Sequence, residues 1–131
     1  MILGFKQKFP NGKPTNFAYK IFQGTKIHSI REDANDRWKE RNIIHMAHGV
    51  RTKNYRCFKK DTCNGIQIIE IEYVGTSSYL DAEVKIDGRI LSKNEIDIFA
   101  KNDGFYSTND FFEWFSSNFK GKIIHWTEFR Y

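Results

Sequence analysis

Cysteine is scarce in this chain of 131 residues: there are two, Cys57 and Cys63, in the stretch CFKKDTC with five residues between them. They supply no disulfide framework, and a chain of this length buries roughly two thirds of its unfolded surface and needs none. The spacing also misses the usual zinc knuckle, which sets its cysteines about two to four residues apart. Long apolar runs are missing as well. No segment approaches the roughly 20 residues of a membrane span, and the start, MILGFKQKF, lacks the long apolar segment and small-residue cleavage site of a secretory leader. These absences predict a cytoplasmic protein with free thiols and no membrane partner.

Acidic charge is thin where basic charge is dense. Residues 1–60 carry 14 Lys or Arg against 4 Asp or Glu, a balance of +10; residues 61–131 carry 7 against 12, a balance of −5; together they give the net +5. A basic half attracts polyanions and raises the local concentration of phosphate-bearing ligands. Proline is nearly absent too, and both prolines fall in PNGKPT, where they end an opening strand over 2–9.

What is present reads as alternating strands with three helices. Thr15 is the expected N-cap of a short helix whose stripe is Phe17, Ile21 and Phe22, with Gly24 as its left-handed C-cap. Strands follow at 25–31 (TKIHSIR) and 43–50 (IIHMAHGV), separated by the polar loop EDANDRWKERN. A hairpin is expected from YRCF through a turn at Asn64-Gly65 into IQIIEIEYV, where Ile69, Ile71 and Tyr73 alternate with Glu70 and Glu72. Asp87-Gly88 predicts a second hairpin with a type I′ turn. Ser92 and Glu95 form a capping box for a helix over 93–101 that stops at Asn102-Asp103-Gly104. Ser107 caps another helix carrying Phe111, Phe112, Trp114 and Phe115, and KIIHWTEFRY (122–131) closes as a strand. The order β-α-β-β-β-β-β-α-α-β, without repeats or linkers, predicts one α+β domain over 1–131 on a curved, mostly antiparallel sheet or small β-barrel.

The stretch GTKIHSIR holds the candidate chemistry. A serine hydroxyl becomes a nucleophile only when a base takes its proton, and a lysine serves when burial or a neighbouring cation lowers its pKa. Lys26 and Ser29 are the candidate base and nucleophile, Arg31 is the cationic neighbour, and His28 could hold an anion. Strand alternation sets Lys26 and His28 on one face and Ser29 and Arg31 on the other, unless irregular backbone after the helix end turns Lys26 round. Asp103, in a turn between two helices, is the candidate carboxylate. Trp38, between Arg37 and Lys39 in a polar loop, suits a base stacked beside phosphate contacts. His45 and His48 have helical spacing in a segment that reads as strand, so they face opposite sides, and no metal site is expected among the four histidines.

Phe17, Gly24, Lys26, Ser29, Ile30 and Arg31, followed by Arg37-Trp38-Lys39 and by the ending KIIHWTEFRY, resemble the activating signal cointegrator homology (ASCH) domain, a branch of the PUA-like β-barrel superfamily. The resemblance implies a barrel-like sheet with a cleft, and RNA or nucleotides as ligands. Some small bacterial members of that family are amidohydrolases that remove the acetyl group of N4-acetylcytidine with a lysine and a threonine from Lys-x-x-Thr-x-Arg and a glutamate from the later helical region. Carried over, these positions hold Lys26, Ser29 and, at or near it, Asp103. Serine for threonine loses a methyl, whereas aspartate for glutamate withdraws the carboxylate by one bond. Two readings follow, neither needing a cofactor. One is a module binding RNA or a nucleotide through His28, Arg31, Arg37 and Trp38; the other is an amidohydrolase of an acylated nucleoside using Lys26, Ser29 and Asp103. Nothing in the sequence selects a third, a protein-interaction adaptor.

Overall fold

The computed structural model describes residues 1–75 and 82–131. The chain runs β1 (Ile2–Gly4), α1 (Phe17–Gln23), β2 (His28–Arg31), β3 (Ile43–His48), β4 (Arg56–Thr62), β5 (Gly65–Tyr73), β6 (Ala82–Ile86), β7 (Arg89–Ile90), α2 (Lys93–Asn102), α3 (Thr108–Trp114) and β8 (Phe119–His125). Among the described residues six strands, where the expected order gave five, separate α1 from α2, both arms of the Asp87-Gly88 hairpin included.

The fold is α+β, but its strands form two sheets that do not close into a barrel: one ordered β1-β3-β4, the other β2-β8-β5-β6-β7. All pairings are antiparallel except β1 with β3. The opening strand is shorter than its apolar run suggests. After Gly4 the chain folds back on itself, with Phe9 N–H donating to Lys13 O across the turn that holds both prolines, since proline has no N–H to offer a ladder.

The expected hairpin between 55–58 and 66–74 is not formed. β4 pairs with β3, and β5 lies between β6 and β8 in the other sheet. At the crossing, Cys63 N–H donates to Asn42 O and Asn64 N–H to His125 O, so the Asn64-Gly65 step moves the chain from one sheet to the other. At Gly65 a Cβ would meet the Arg130 guanidinium, the far end of a flexible side chain.

Local signals hold elsewhere. Asp87 and Gly88 both have positive φ (50° and 82°), as a type I′ turn requires. Ser92 and Glu95 make both bonds of the capping box, and Ser107 Oγ accepts from Asp110 N–H. The N-cap of α1 is Asn16 in the left-handed region, not Thr15; the Thr15 hydroxyl instead donates to Lys6 O at 2.8 Å. β8 begins three residues earlier than expected and ends at His125, beyond which Arg130 and Tyr131 turn back onto β5.

One apolar cluster unites both sheets and the helices: Leu3, Ile44 and Met46 from the first sheet, Ile69, Ile71, Val84, Ile86, Ile123 and Ile124 from the second, and Phe17, Phe99 and Phe111 from the helices. β8, flanked by β2 and β5, is buried on both faces from Gly121 to His125. Its position matters because β2, its partner, carries Ser29 and Arg31 to the edge of the site.

Candidate active site

The turn between α1 and β2 builds the site. Gly24, at φ 77°, ends α1, and both Thr25 N–H and Lys26 N–H return to Lys20 O. Regular strand starts only at His28. Lys26 therefore sits on irregular backbone, and alternation does not tie it to the face of His28. Its side chain lines the same cavity as Ser29, Arg31 and Asp103, a space of about 340 Å³. His28 points away from that cavity and stacks on Phe99, ring centroids 5.0 Å apart.

α2 brings Asp103. The last carbonyls of a helix have no partner within it; at the end of α2 the α1–β2 turn supplies two donors and α1 itself a third. Ile27 N–H donates to Asn102 O at 2.9 Å, Lys26 Nζ to Asp103 O at 2.5 Å, and Lys20 Nζ to Gly104 O at 2.5 Å. Lys26 Nζ also donates to His28 O at 2.9 Å. The Asp103 carboxylate lies close by, its Oδ1 3.6 Å from Lys26 Nζ and 2.8 Å from His28 Nδ1.

Lys26 is 1% exposed. Its ammonium lies over the Phe17 ring at 4.6 Å and the Phe5 ring at 5.6 Å. Burial lowers its pKa from 10.5 to about 8; Asp103 opposes the fall and Arg31 adds to it. The desolvation of a full charge outweighs one carboxylate. Two of its N–H groups are committed to backbone carbonyls, so in the neutral amine the lone pair is left for a third direction.

Ser29 is 3% exposed, and its Oγ accepts from Arg31 Nη1 at 2.8 Å. Arg31 is clamped by Ile30 O at 2.6 Å and by Gly4 O. A charge-assisted donor fixed on a hydroxyl oxygen steadies negative charge developing there. It also leaves the hydroxyl proton free to go to a base.

The remaining candidates sit elsewhere. His28 is fully buried, outside the cavity lining, and held below its ordinary pKa by that burial, although Asp103 pulls the other way. Trp38 is not a free stacking face. It is 7% exposed and part of the core, because Asp33 accepts from the Trp38 and Arg37 N–H groups and itself binds the buried Lys122 ammonium at 2.8 Å, folding the polar loop inward. Arg37 is exposed and lines a separate groove with Arg51 and Tyr55.

Four aromatic residues of the core and its margin also line the cavity: Phe5 and Phe105, which are buried, and Trp114 and Phe119, which pack against the core. Trp114 is half-buried, with its ring 5.7 Å from that of Phe105. The only sequence signal for any of them is that Phe105 follows Asp103-Gly104 directly. Among the described residues, no group of three or more His, Cys, Asp or Glu could hold a metal ion, and no helix is long and apolar enough to cross a membrane. No family model, curated protein or solved structure matches the chain.

Proposed function

We propose that this protein is a small amidohydrolase that removes an acyl group from the exocyclic amide of a modified nucleoside, with N4-acetylcytidine as its type substrate. One observation carries the reading: Lys26, whose burial lowers its pKa to about 8, lines one cavity of about 340 Å³ together with Ser29 and Asp103. That volume lies at the small end of the range for small-molecule sites. The half-buried Trp114 ring offers a face on which a base can stack. The resemblance of residues 17–39 to ASCH amidohydrolases supports the same reading.

Neutral Lys26 takes the Ser29 proton as Oγ bonds to the acyl carbon, and the carbonyl electrons move onto oxygen beside the Arg31 guanidinium. Collapse breaks the C–N bond, and the leaving nitrogen receives the proton held by Lys26, with Asp103 as the shuttle. Water then attacks the acyl-serine, giving one proton to Lys26. The acid leaves as Ser29 Oγ regains that proton. The sum is amide plus water to amine plus acid, with no cofactor.

A binding module for RNA or a nucleotide is the second reading. A groove lined by Lys6, Gln7, Lys8 and Val50 joins the cavity through Gly4, Phe5 and Lys6, placing two lysines where a phosphate attached to a bound nucleoside would lie. The burial of His28 and Trp38 removes two of the contacts this reading expected. Incubation of the purified protein with N4-acetylcytidine separates the two readings. Release of cytidine that stops in Ser29→Ala supports the hydrolase; salt-sensitive binding of cytidine nucleotides without turnover replaces it by the binding module.

A further inference from the structure

Behind the cavity Asp103 is held by a polar network whose other members have no part in this chemistry. His28 Nδ1 lies 2.8 Å from Asp103 Oδ1, and on the far side of the ring its Nε2 lies 2.5 Å from the Tyr131 hydroxyl. That hydroxyl also accepts from Asn102 Nδ2 at 3.1 Å. Tyr131 is in turn fixed by Gln67, whose Oε1 accepts from Tyr131 N–H at 3.1 Å and whose Nε2 donates to Tyr131 O at 3.2 Å.

Counting donors fixes the direction of the chain. The Asn102 amide nitrogen can only donate, so the Tyr131 oxygen accepts from it and must place its own proton elsewhere. Among the described residues its other polar neighbour is His28 Nε2. Nε2 is then an acceptor, the ring proton sits on Nδ1, and Nδ1–H donates to Asp103 Oδ1. Both neighbours suit this arrangement: burial keeps His28 neutral and holds Tyr131 in its protonated phenol form. His125, 5.3 Å from His28 between ring centroids, takes no part, since its Nε2 meets Gln67 Oε1.

We infer that His28 is a positioning residue, acting through a one-way chain from Asn102 and Tyr131 to Asp103. By occupying Oδ1 it turns the carboxylate so that Oδ2, which has no hydrogen bond among the described residues, is the oxygen presented to the cavity. The effect on rate rests on the hydrolase reading; the direction of the chain does not.

Nitrogen-15 NMR of the side-chain imidazoles tests the chain without any substrate. The wild type is expected to show His28 as the Nδ1–H tautomer, and Tyr131→Phe is expected to shift Nε2 toward an unbonded pyridine-type nitrogen while Nδ1 stays protonated. A protonated Nε2 in the wild type, or an Nε2 signal unmoved in Tyr131→Phe, would overturn the chain. Kinetics then test positioning. His28→Leu, which has no donor, should lower kcat on the order of 10-fold to 100-fold with KM nearly unchanged, and His28→Asn, whose amide N–H replaces Nδ1–H, should recover most of it. A kcat unaffected by His28→Leu overturns the positioning role. If the wild type turns over no N4-acetylcytidine, it is the hydrolase reading that fails, and the tautomer still decides the chain.

Discussion

Lys26 shows at the scale of one residue why a functional side chain is costly to the fold. An ammonium enclosed by Phe5, Phe17 and two backbone carbonyls gives up its hydration, and the lowered pKa measures that loss. In Lys26→Met the relief of desolvation and the two orphaned carbonyls work against each other. Deacylation should be lost while the melting temperature moves by no more than about 5 °C; thermal unfolding beside an activity assay checks both. Gly104 protects the same side chain. At φ 95°, with a new Cβ 2.9 Å from Lys26 Cδ and 3.0 Å from the Phe17 ring, Gly104→Ala should destabilise by on the order of 1–2 kcal/mol and reduce turnover by displacing Lys26. Urea unfolding and the same assay read this out. In the sequence the residue types of GTKIHSIR were legible, but the burial that makes Lys26 reactive was not, because Phe5 and Phe17 reach it from separate segments.

At the scale of elements, helix signals were the most legible because they are local. The capping box at Ser92 and the stop at Asn102-Asp103-Gly104 bound α2 on both sides. These two ends separate stability from function. Ser92→Ala removes an N-cap at the end of α2 away from Asp103 and should cost about 1 kcal/mol with kcat unchanged; a fall in kcat at temperatures where the variant is folded would show that the two ends are coupled. Strand partners were less legible. Asn64-Gly65 carries the composition of a hairpin turn, yet β5 pairs with β8, more than forty residues later in the chain, a choice made by tertiary burial. The loop 32–42 misled in the same way. Its polar composition suggested an exposed Trp38, but Asp33 and Lys122 pair across the fold and draw the loop onto the core.

At the scale of the whole molecule, two sheets and three helices enclose one core whose polar inclusions cluster at the site. The buried histidines there make stability depend on pH. His125 has its pKa lowered from 6.5 to about 3, by burial first and then by His28 and Arg130 beside it, and His28 is lowered as well, chiefly by burial. Between those values the unfolded chain binds protons that the folded chain refuses. The contribution is complete above about pH 6.5 and is lost as pH falls toward 3. The unfolding free energy from urea titration should drop by on the order of a few kcal/mol between about pH 7 and about pH 4, and a level value would count against neutral buried histidines. The uneven charge of the two halves was legible from composition; which basic residues border the cavity was not, since Lys6 reaches its rim and Lys8 the adjoining groove only after the opening strand ends. The central claim is that a desolvated Lys26 serves as base to Ser29, and the rate of N4-acetylcytidine deacylation against pH tests it most directly. A rate that climbs with unit slope and levels near pH 8, absent in Lys26→Ala, is the predicted result. A profile flat through that region, or turnover that survives Lys26→Ala, would contradict it.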